Sequence, residues 1–188
     1  MTDLGKMPDD TIQALAISDV PVAPFSATLA LMACPGIRAL PAGFDAVRHT
    51  FRRDVDRLAA SGVALVLSCL EAEELPLSRS DVARLFEAAG IEWRLLPIPD
   101  MSAPDPVLDR QLQQLLALAE SYLGRGQRVA IHCKAGLGRT GMVAARLLMR
   151  QGSSASAAVA AIRAAHDKAA VETATQIAYL QRSAAAPT

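Results

Sequence analysis

An α/β fold with a mainly parallel central sheet flanked by helices is predicted for this chain by three observations. Short apolar, partly β-branched runs alternate with longer stretches of helical periodicity, the order that builds strand–helix–strand crossovers. The composition is 52% hydrophobic but only 4% aromatic, so Leu, Val and especially Ala must fill the interior, which favours many helices. One apolar run, residues 129–131, stops at a cysteine and a glycine-rich loop, after which a helix-forming run begins at once. Strand-to-helix turns of this kind lie at the carboxyl edge of a parallel sheet, where ligands are bound.

The 188 residues suit one domain over residues 25–184, with an N-terminal extension at 1–24 and a short tail at 185–188. Residues 1–24 are polar, with prolines at 8, 21 and 24. Residues 25–34 read as a buried strand closed by the Pro35-Gly36 turn. Val47, Phe51, Val55 and Leu58 mark one face of a helix over residues 46–60, ended by Gly62, with Arg48, Arg52, Arg53 and Arg57 as its solvated face. A second strand spans residues 63–67 and leads to Ser68 and Cys69. Ser80 is placed to cap a helix over residues 81–89, which Gly90 closes. Residues 91–98 form the third strand and 106–123 a long helix. The strand at 129–131, a helix at 140–149 and two further helices at 153–166 and 171–182 complete the chain, which has no internal repeat.

The loop carries the chemistry. Unpaired amides and the positive dipole end of the following helix favour an anion, and successive loop N–H groups can turn inward around phosphate-like oxygens. Glycines at 136, 138 and 141 permit backbone angles closed to other residues. Cys133 sits at the mouth of that field, which favours its thiolate, a nucleophile. Arg139 can fold back and offer a planar, two-pronged donor to two phosphate oxygens. Together these suit attack on phosphorus and a cysteinyl-phosphate that water then hydrolyses. His132 is better suited to fixing loop backbone than to acting as a base, and Cys34 reads as core packing. The same letters, Gly136-Leu-Gly-Arg-Thr-Gly141, also fit the glycine fingerprint of a dinucleotide-binding oxidoreductase. That reading needs a second strand ending in an acidic residue about 20 residues on; residues 155–167 are Ala-rich and helical instead.

His132-Cys133-Lys134-Ala135-Gly136-Leu137-Gly138-Arg139-Thr140-Gly141 resembles the His-Cys-x5-Arg-Ser/Thr-Gly signature of the protein tyrosine phosphatase superfamily. The resemblance implies a cysteine-dependent, dual-specificity phosphatase fold, with Cys133 as nucleophile and Arg139 clamping the phosphoryl group. It implies that Thr140 steadies the departing thiolate, while the amides of Lys134, Ala135, Gly136, Leu137, Gly138 and Arg139 cradle the phosphate. Pro97-Ile98-x-Asp100-x-x-x-Pro104-Asp105 is similar to the acid loop of the kinase-associated, cyclin-dependent kinase inhibitor-like members. The likeness extends through Cys69-x-x-x-Glu73/Glu74-Leu75 and Glu172-Thr-x-x-Gln176-x-x-Tyr-Leu180, covering residues 30–182. It makes Asp100 the general acid, with Asp105 either an alternative acid or a helix cap. The third strand is expected close to the one bearing Cys133, so that this loop overhangs the cradle. Gln176 matches a glutamine that orients the hydrolytic water, against a plain exposed helical Gln. Cys69 falls where some relatives carry a second cysteine able to trap the oxidised nucleophile, against plain core packing. The family's usual Arg-Pro turn before the last helix is replaced here by Ala165-His-Asp-Lys-Ala-Ala170.

Composition bounds the rest. Net charge is zero, so no global basic field points to nucleic acid or a membrane surface. No apolar run reaches transmembrane length, and the first residues lack the order of a signal peptide. Three cysteines, one required as a thiolate, indicate a reducing compartment, expected to be the cytoplasm. Three dispersed histidines show no metal-ligand spacing, so no metal and no cofactor are expected. The expected partner is a phosphorylated protein carrying phosphotyrosine or phosphoserine/threonine, with an inositol phosphate or other small phosphomonoester as the alternative. Leu137 stands where a polyphosphoinositide reader carries a second lysine, which favours protein. A silent phosphate-binding module is disfavoured by Cys133, Arg139, Thr140 and Asp100 occurring together. No sequence feature specifies an oligomeric state.

Overall fold

The computed structural model describes residues 12–185. Five strands form one sheet in the order β1 (Ile17–Pro21), β2 (Thr28–Met32), β5 (Arg128–His132), β3 (Val63–Ser68), β4 (Glu92–Leu95). β2, β5, β3 and β4 run parallel, and only the edge strand β1 is antiparallel, pairing Ile17 with Met32 through Pro21 with Thr28. The α/β expectation therefore holds. The extension expected over residues 1–24 divides: residues 17–21 are a strand of the sheet, and residues 1–11, like 186–188 of the expected tail, lie outside the described residues. β1 escapes a periodicity reading because it is short and polar at Ser18 and Asp19, with Pro21 at its end, as edge strands commonly are.

The helices are α1 (Phe44–Ala60), α2 (Arg79–Ala88), α3 (Pro106–Gly124), α4 (Gly138–Arg150), α5 (Ala155–Ala165) and α6 (Ala174–Ala185). Their apolar faces divide into two cores. Phe51, Leu58 and Phe86 of α1 and α2 pack with Met32, Val66 and Ala130 on one face of the sheet. Leu112 and Leu116 of α3, Val143 and Leu147 of α4, Ile162 of α5 and Leu180 of α6 pack with Leu31, Leu67 and Ile131 on the other. The alternation of 130 and 131 between the two cores is the strand period itself.

Several element ends differ from expectation, each for a local reason. Ser78, not Ser80, caps α2, its hydroxyl accepting from the Asp81 amide at 3.1 Å. β4 stops at Leu95 rather than 98, because Pro97 and Pro99 have no N–H to continue the ladder. β4 also lies next to β3 and not next to β5, so one strand separates it from the strand that ends at Cys133. α5 starts at Ala155, capped by Ser154. α6 starts at Ala174 rather than 171, since Val171 takes φ +60, outside the helical region, and the Thr173 hydroxyl accepts from the Gln176 amide at 3.1 Å.

After β2 the chain turns at Gly36, φ +70, where a Cβ would meet that of Phe51 at 2.9 Å, so only glycine fits. The buried carboxylate of Asp54 accepts from the Gly36 amide at 2.9 Å and from Arg38 at 2.9 and 3.0 Å. This pins the 3-10 helix Ile37–Ala42 and the start of α1 at the carboxyl end of the sheet, the end to which β5 delivers Cys133.

Candidate active site

β5 ends at His132, and α4 begins at Gly138 with no capping side chain, so the first amides of α4 have no partner from its N-cap residue. Between them residues 133–137 form a tight loop held from behind. Gly136 has φ +84, and a Cβ there would lie 2.6 Å from Ala33 N and from the Met32 carbonyl, so the loop backbone rests directly on the end of β2. The Cys34 amide donates to the Lys134 carbonyl at 3.1 Å. On the far side the Gly136 carbonyl lies 2.7 Å from Nε2 of His166, whose Nδ1 is 2.9 Å from the Ser18 hydroxyl. A carbonyl only accepts, so Nε2 carries the proton. The residue that replaces the expected Arg-Pro turn thus still reaches the loop, and links it to β1. No periodicity or motif marks His166, because the contact exists only after α5 brings it back across the sheet edge.

A second chain of hydrogen bonds runs beneath the loop. Trp93 Nε1 donates to Ser68 Oγ at 2.8 Å, Ser68 Oγ lies 2.6 Å from His132 Nε2, and His132 Nδ1 lies 3.0 Å from the Cys133 carbonyl. The carbonyl again requires a proton on Nδ1, so Nε2 is the acceptor and the Ser68 hydroxyl its donor. Each hydrogen has one assignment, and the chain ends on the backbone of Cys133. Burial pushes the His132 pKa down to about 4, against a weaker opposing effect of the Cys133 hydrogen bond, so the ring is neutral at physiological pH.

Arg139 is 2% exposed, and its guanidinium is held by three connections at once. Glu74 takes both prongs, with Nη1 2.5 Å from Oε2 and Nη2 2.9 Å from Oε1. Nη1 also donates to the Ile98 carbonyl at 3.0 Å, and Asp100 Oδ1 lies 2.9 Å from Nη2. Burial works against the charge, but Glu74, Cys133 and Asp100 outweigh it and hold the guanidinium above its ordinary pKa. The hydrogen bonds from Arg139 in turn hold the Glu74 carboxyl below the usual carboxylate range. Of the two adjacent glutamates the sequence pattern left open, Glu74 pairs with Arg139 while Glu73 is exposed. That pairing role was not legible before the 3-10 turn Ala72–Glu74 was seen.

The sequence matches a known family, described as the DSP-PTPase phosphatase of polymorphic toxin systems, over residues 40–153. Cyclin-dependent kinase inhibitor 3 of Rattus norvegicus is 30% identical over 177 residues, 92% of this chain and 80% of that protein. The chain belongs to the dual-specificity protein tyrosine phosphatase family. The tyrosine-protein phosphatase CDC14 of Saccharomyces cerevisiae is 35% identical over 79 residues, 42% of this chain and 14% of that protein. Among solved structures, the kinase-associated phosphatase with serine in place of its catalytic-site cysteine superposes with a TM-score of 0.74 at 24% identity, covering 94% of this chain and 99% of that one. Tk-PTP in its active form superposes at 0.67 with 27% identity, covering 90% of this chain and 98% of that one.

The other expected site residues of this phosphatase fall as follows. Lys134 and Ala135 are exposed at the loop crest. The Thr140 hydroxyl is buried and has no hydrogen-bond partner. Asp100 is exposed and accepts from the Met101 amide at 2.9 Å besides pairing with Arg139, whereas Asp105 caps α3, accepting from Val107 and Leu108 at 2.8 Å each. Gln176 is fully buried, not an exposed helical side chain. Its Oε1 accepts from the Glu172 and Thr173 amides at 2.9 and 3.3 Å, and its Nε2 donates to the Ser102 carbonyl at 3.2 Å. Gln176 also lies over Gly138, where a Cβ would come within 3.0 Å of its amide. Cys69 is buried and follows Ser68, the partner of His132, in register; parallel strands spaced about 4.8 Å place it beside Cys133. Cys34 is also buried, in the cluster that holds Cys133 and Leu70, and burial raises both the Cys34 and Cys69 thiols.

The neutral His132 makes stability depend on pH in a stated direction. Its folded pKa lies at about 4 against 6.5 for the free group. Between those values the unfolded chain binds a proton that the folded chain does not, so stability rises with pH across this window and levels off above it. The effect amounts to at most about 3 kcal/mol. Urea unfolding from pH 4 to 7 should show that slope, and His132→Gln should flatten it; equal slopes for both proteins would mean the ring titrates alike in the two states.

Proposed function

We propose that this phosphatase hydrolyses phosphate monoesters of proteins, phosphotyrosine and/or phosphoserine/threonine, through a cysteinyl-phosphate on Cys133. The observation that carries the reading is the convergence of Cys133, the uncapped start of α4 and the buried Arg139 on one loop, with Asp100 already paired to that arginine. In the first step the Cys133 thiolate attacks phosphorus and the bond to the leaving oxygen breaks, Asp100 giving that oxygen its proton. In the second, water attacks phosphorus, its proton returns to Asp100, and the sulfur–phosphorus bond breaks to free inorganic phosphate and the thiolate. The loop amides, with Nε of Arg139 and the Nη2 hydrogen that faces Asp100, hold the equatorial oxygens. Phosphate oxygens compete with Asp100 for Nη2 of Arg139, so substrate entry itself frees the acid for its task. An unpaired buried hydroxyl is costly, and Thr140 regains a partner by donating to the departing sulfur.

Lys134 is the exposed cation of the loop and Leu137 offers no second one, which supports a single phosphoryl group on a protein over a polyphosphorylated inositol. Gln176 is assigned to the hydrolytic water through its second Nε2 hydrogen, while its first holds the Ser102 carbonyl. No step uses a metal, and the protein is assigned to the cytoplasm. Among the described residues no helix is long and apolar enough to cross a membrane.

Turnover of an aryl phosphate in the presence of a chelator tests the nucleophile. Activity should persist with chelator, stop with vanadate, and vanish in Cys133→Ser, while Arg139→Lys should lose most of it because a point charge cannot reproduce the two-pronged clamp. Turnover surviving Cys133→Ser would end the mechanism. Leaving-group dependence tests the acid. Asp100→Asn should slow phenyl phosphate by roughly 10²–10⁴-fold and a nitrophenyl ester much less, and Asp105→Asn should spare both rates; the opposite pattern would transfer the role to Asp105.

The position of Cys69 beside Cys133 supports a protective disulfide, a pairing that needs Cα atoms within about 7 Å. Peroxide would oxidise the Cys133 thiolate to a sulfenic acid, and the Cys69 thiol would displace water to form the bond. Mass spectrometry of the peroxide-treated protein should find the 69–133 linked peptide, reversed by dithiothreitol. A 34–133 link in its place would move the role to Cys34.

A further inference from the structure

Arg146 of α4 is a buried charge that no carboxylate answers. It is 8% exposed, yet it forms no ion pair among the described residues. Its Nε donates to the Tyr179 hydroxyl at 3.3 Å, and the guanidinium lies over the Tyr179 ring, 5.6 Å from its centre. Tyr179 offers no negative charge in return. Burial, with the hydrogen bond to Asp109, pushes its pKa up to about 12, so the phenol keeps its hydrogen and donates it to Asp109. Neither Nη group of Arg146 has a hydrogen-bond partner among the described residues. The last carbonyls of α4 are no outlet, because the amides of Gln151, Gly152 and Ser153 take them. A guanidinium withdrawn from water in this way is costly unless an anion meets it.

Arg146 lines a cleft of about 690 Å³ between α3, α4, α5 and α6. It stands eight residues past Gly138 in α4, about 12 Å along the helix, and no residue of the Cys133 loop belongs to the cleft. The other charges there are engaged. Arg150 pairs with Glu120 at 2.7 Å, and Asp109 faces Arg146 across the tyrosine oxygen that donates to it. Ser153 and Ser183 add hydroxyls, and Ser154, the N-cap of α5, brings the positive end of an 11-residue helix. We propose that this cleft is a second anion site, taking a small polar molecule by a carboxylate or phosphoryl group that both Nη groups of Arg146 receive. The planar fork fits two oxygens of either group, and the volume suits a small molecule. The serine hydroxyls and Asp109 suit hydroxyl or amino groups on the rest of it. The site is independent of the chemistry at Cys133.

NMR of the natural protein labelled with 15N tests this, during titration with L-malate and, separately, with inorganic phosphate. The arginine Nε–H signal of Arg146, assigned through its own side-chain carbons, and the amides of Ser153 and Ser154 should shift together. They should saturate with a Kd of about 1 mM or below for at least one probe. Malate acting alone assigns the site to carboxylates, and phosphate acting alone assigns it to phosphoryl groups. Arg146→Met should weaken that binding at least about tenfold, the loss of a charged hydrogen-bonding group, as read on the amides of Ser153 and Ser154. The amides from Lys134 to Arg139 report the cradle separately, and their unchanged response to phosphate shows that the variant is folded. Shifts at Arg146 that rise without saturation for both probes, as they would with sodium chloride, overturn the site. Equal affinity in Arg146→Met overturns it too. The first of these outcomes is read on the natural protein, so it decides whether or not the variant folds.

Discussion

The two-pronged pair between Arg139 and Glu74 is the interaction on which the site's shape depends. A guanidinium this deeply buried must be paired or the fold loses several kcal/mol, and its partners come from two connections, Glu74 after β3 and Ile98 and Asp100 after β4, while Arg139 itself stands at the start of α4 after β5. One charge therefore draws together the loops of three adjacent strands, which would otherwise splay as the sheet twists. The geometry that satisfies Arg139 also presents it as a planar donor beside Cys133. Structural and chemical demands on this residue coincide, because the fork that fits a carboxylate also fits a phosphoryl group.

Behind the loop, order is imposed by hydrogen bonds with a single direction. Trp93, Ser68 and His132 pass a donor along a line that ends at the Cys133 carbonyl, and His166 donates to the Gly136 carbonyl from the opposite side. Both anchors grip carbonyl oxygens, so neither occupies a loop N–H group. A neutral His132 is part of this arrangement, since its Nε2 must accept from Ser68. Gly136 completes it by steric means, allowing the loop to rest on the end of β2 where any side chain would collide.

At the centre of the site, amides and Arg139 supply positive potential in a buried setting, with the carboxylates of Glu74 and Asp100 beside the guanidinium. Concentrating the positive field in the backbone of one loop lets the chain accept a dianion while carrying no net charge.

The sequence by itself determined the order of strands and helices, the parallel sheet and the loop from Cys133 to Arg139, because each is local: periodicity, glycine placement and a fixed spacing are read within about fifteen residues. It also marked Asp100 and Asp105 as the carboxylates of one loop, although only the structure separated a carboxylate paired with Arg139 from a helix cap. Tertiary structure alone decided which glutamate meets Arg139, that His166 stands in for the missing arginine turn, that Gln176 is buried over Gly138, and that residues 17–21 close the sheet edge. Apart from the β1–β2 pairing, these contacts join residues 30 to 148 positions apart in the chain, or turn on backbone angles such as that of Val171. Their physical origin is the pairing of buried polar groups, a requirement settled only when packing has fixed which groups water can no longer reach.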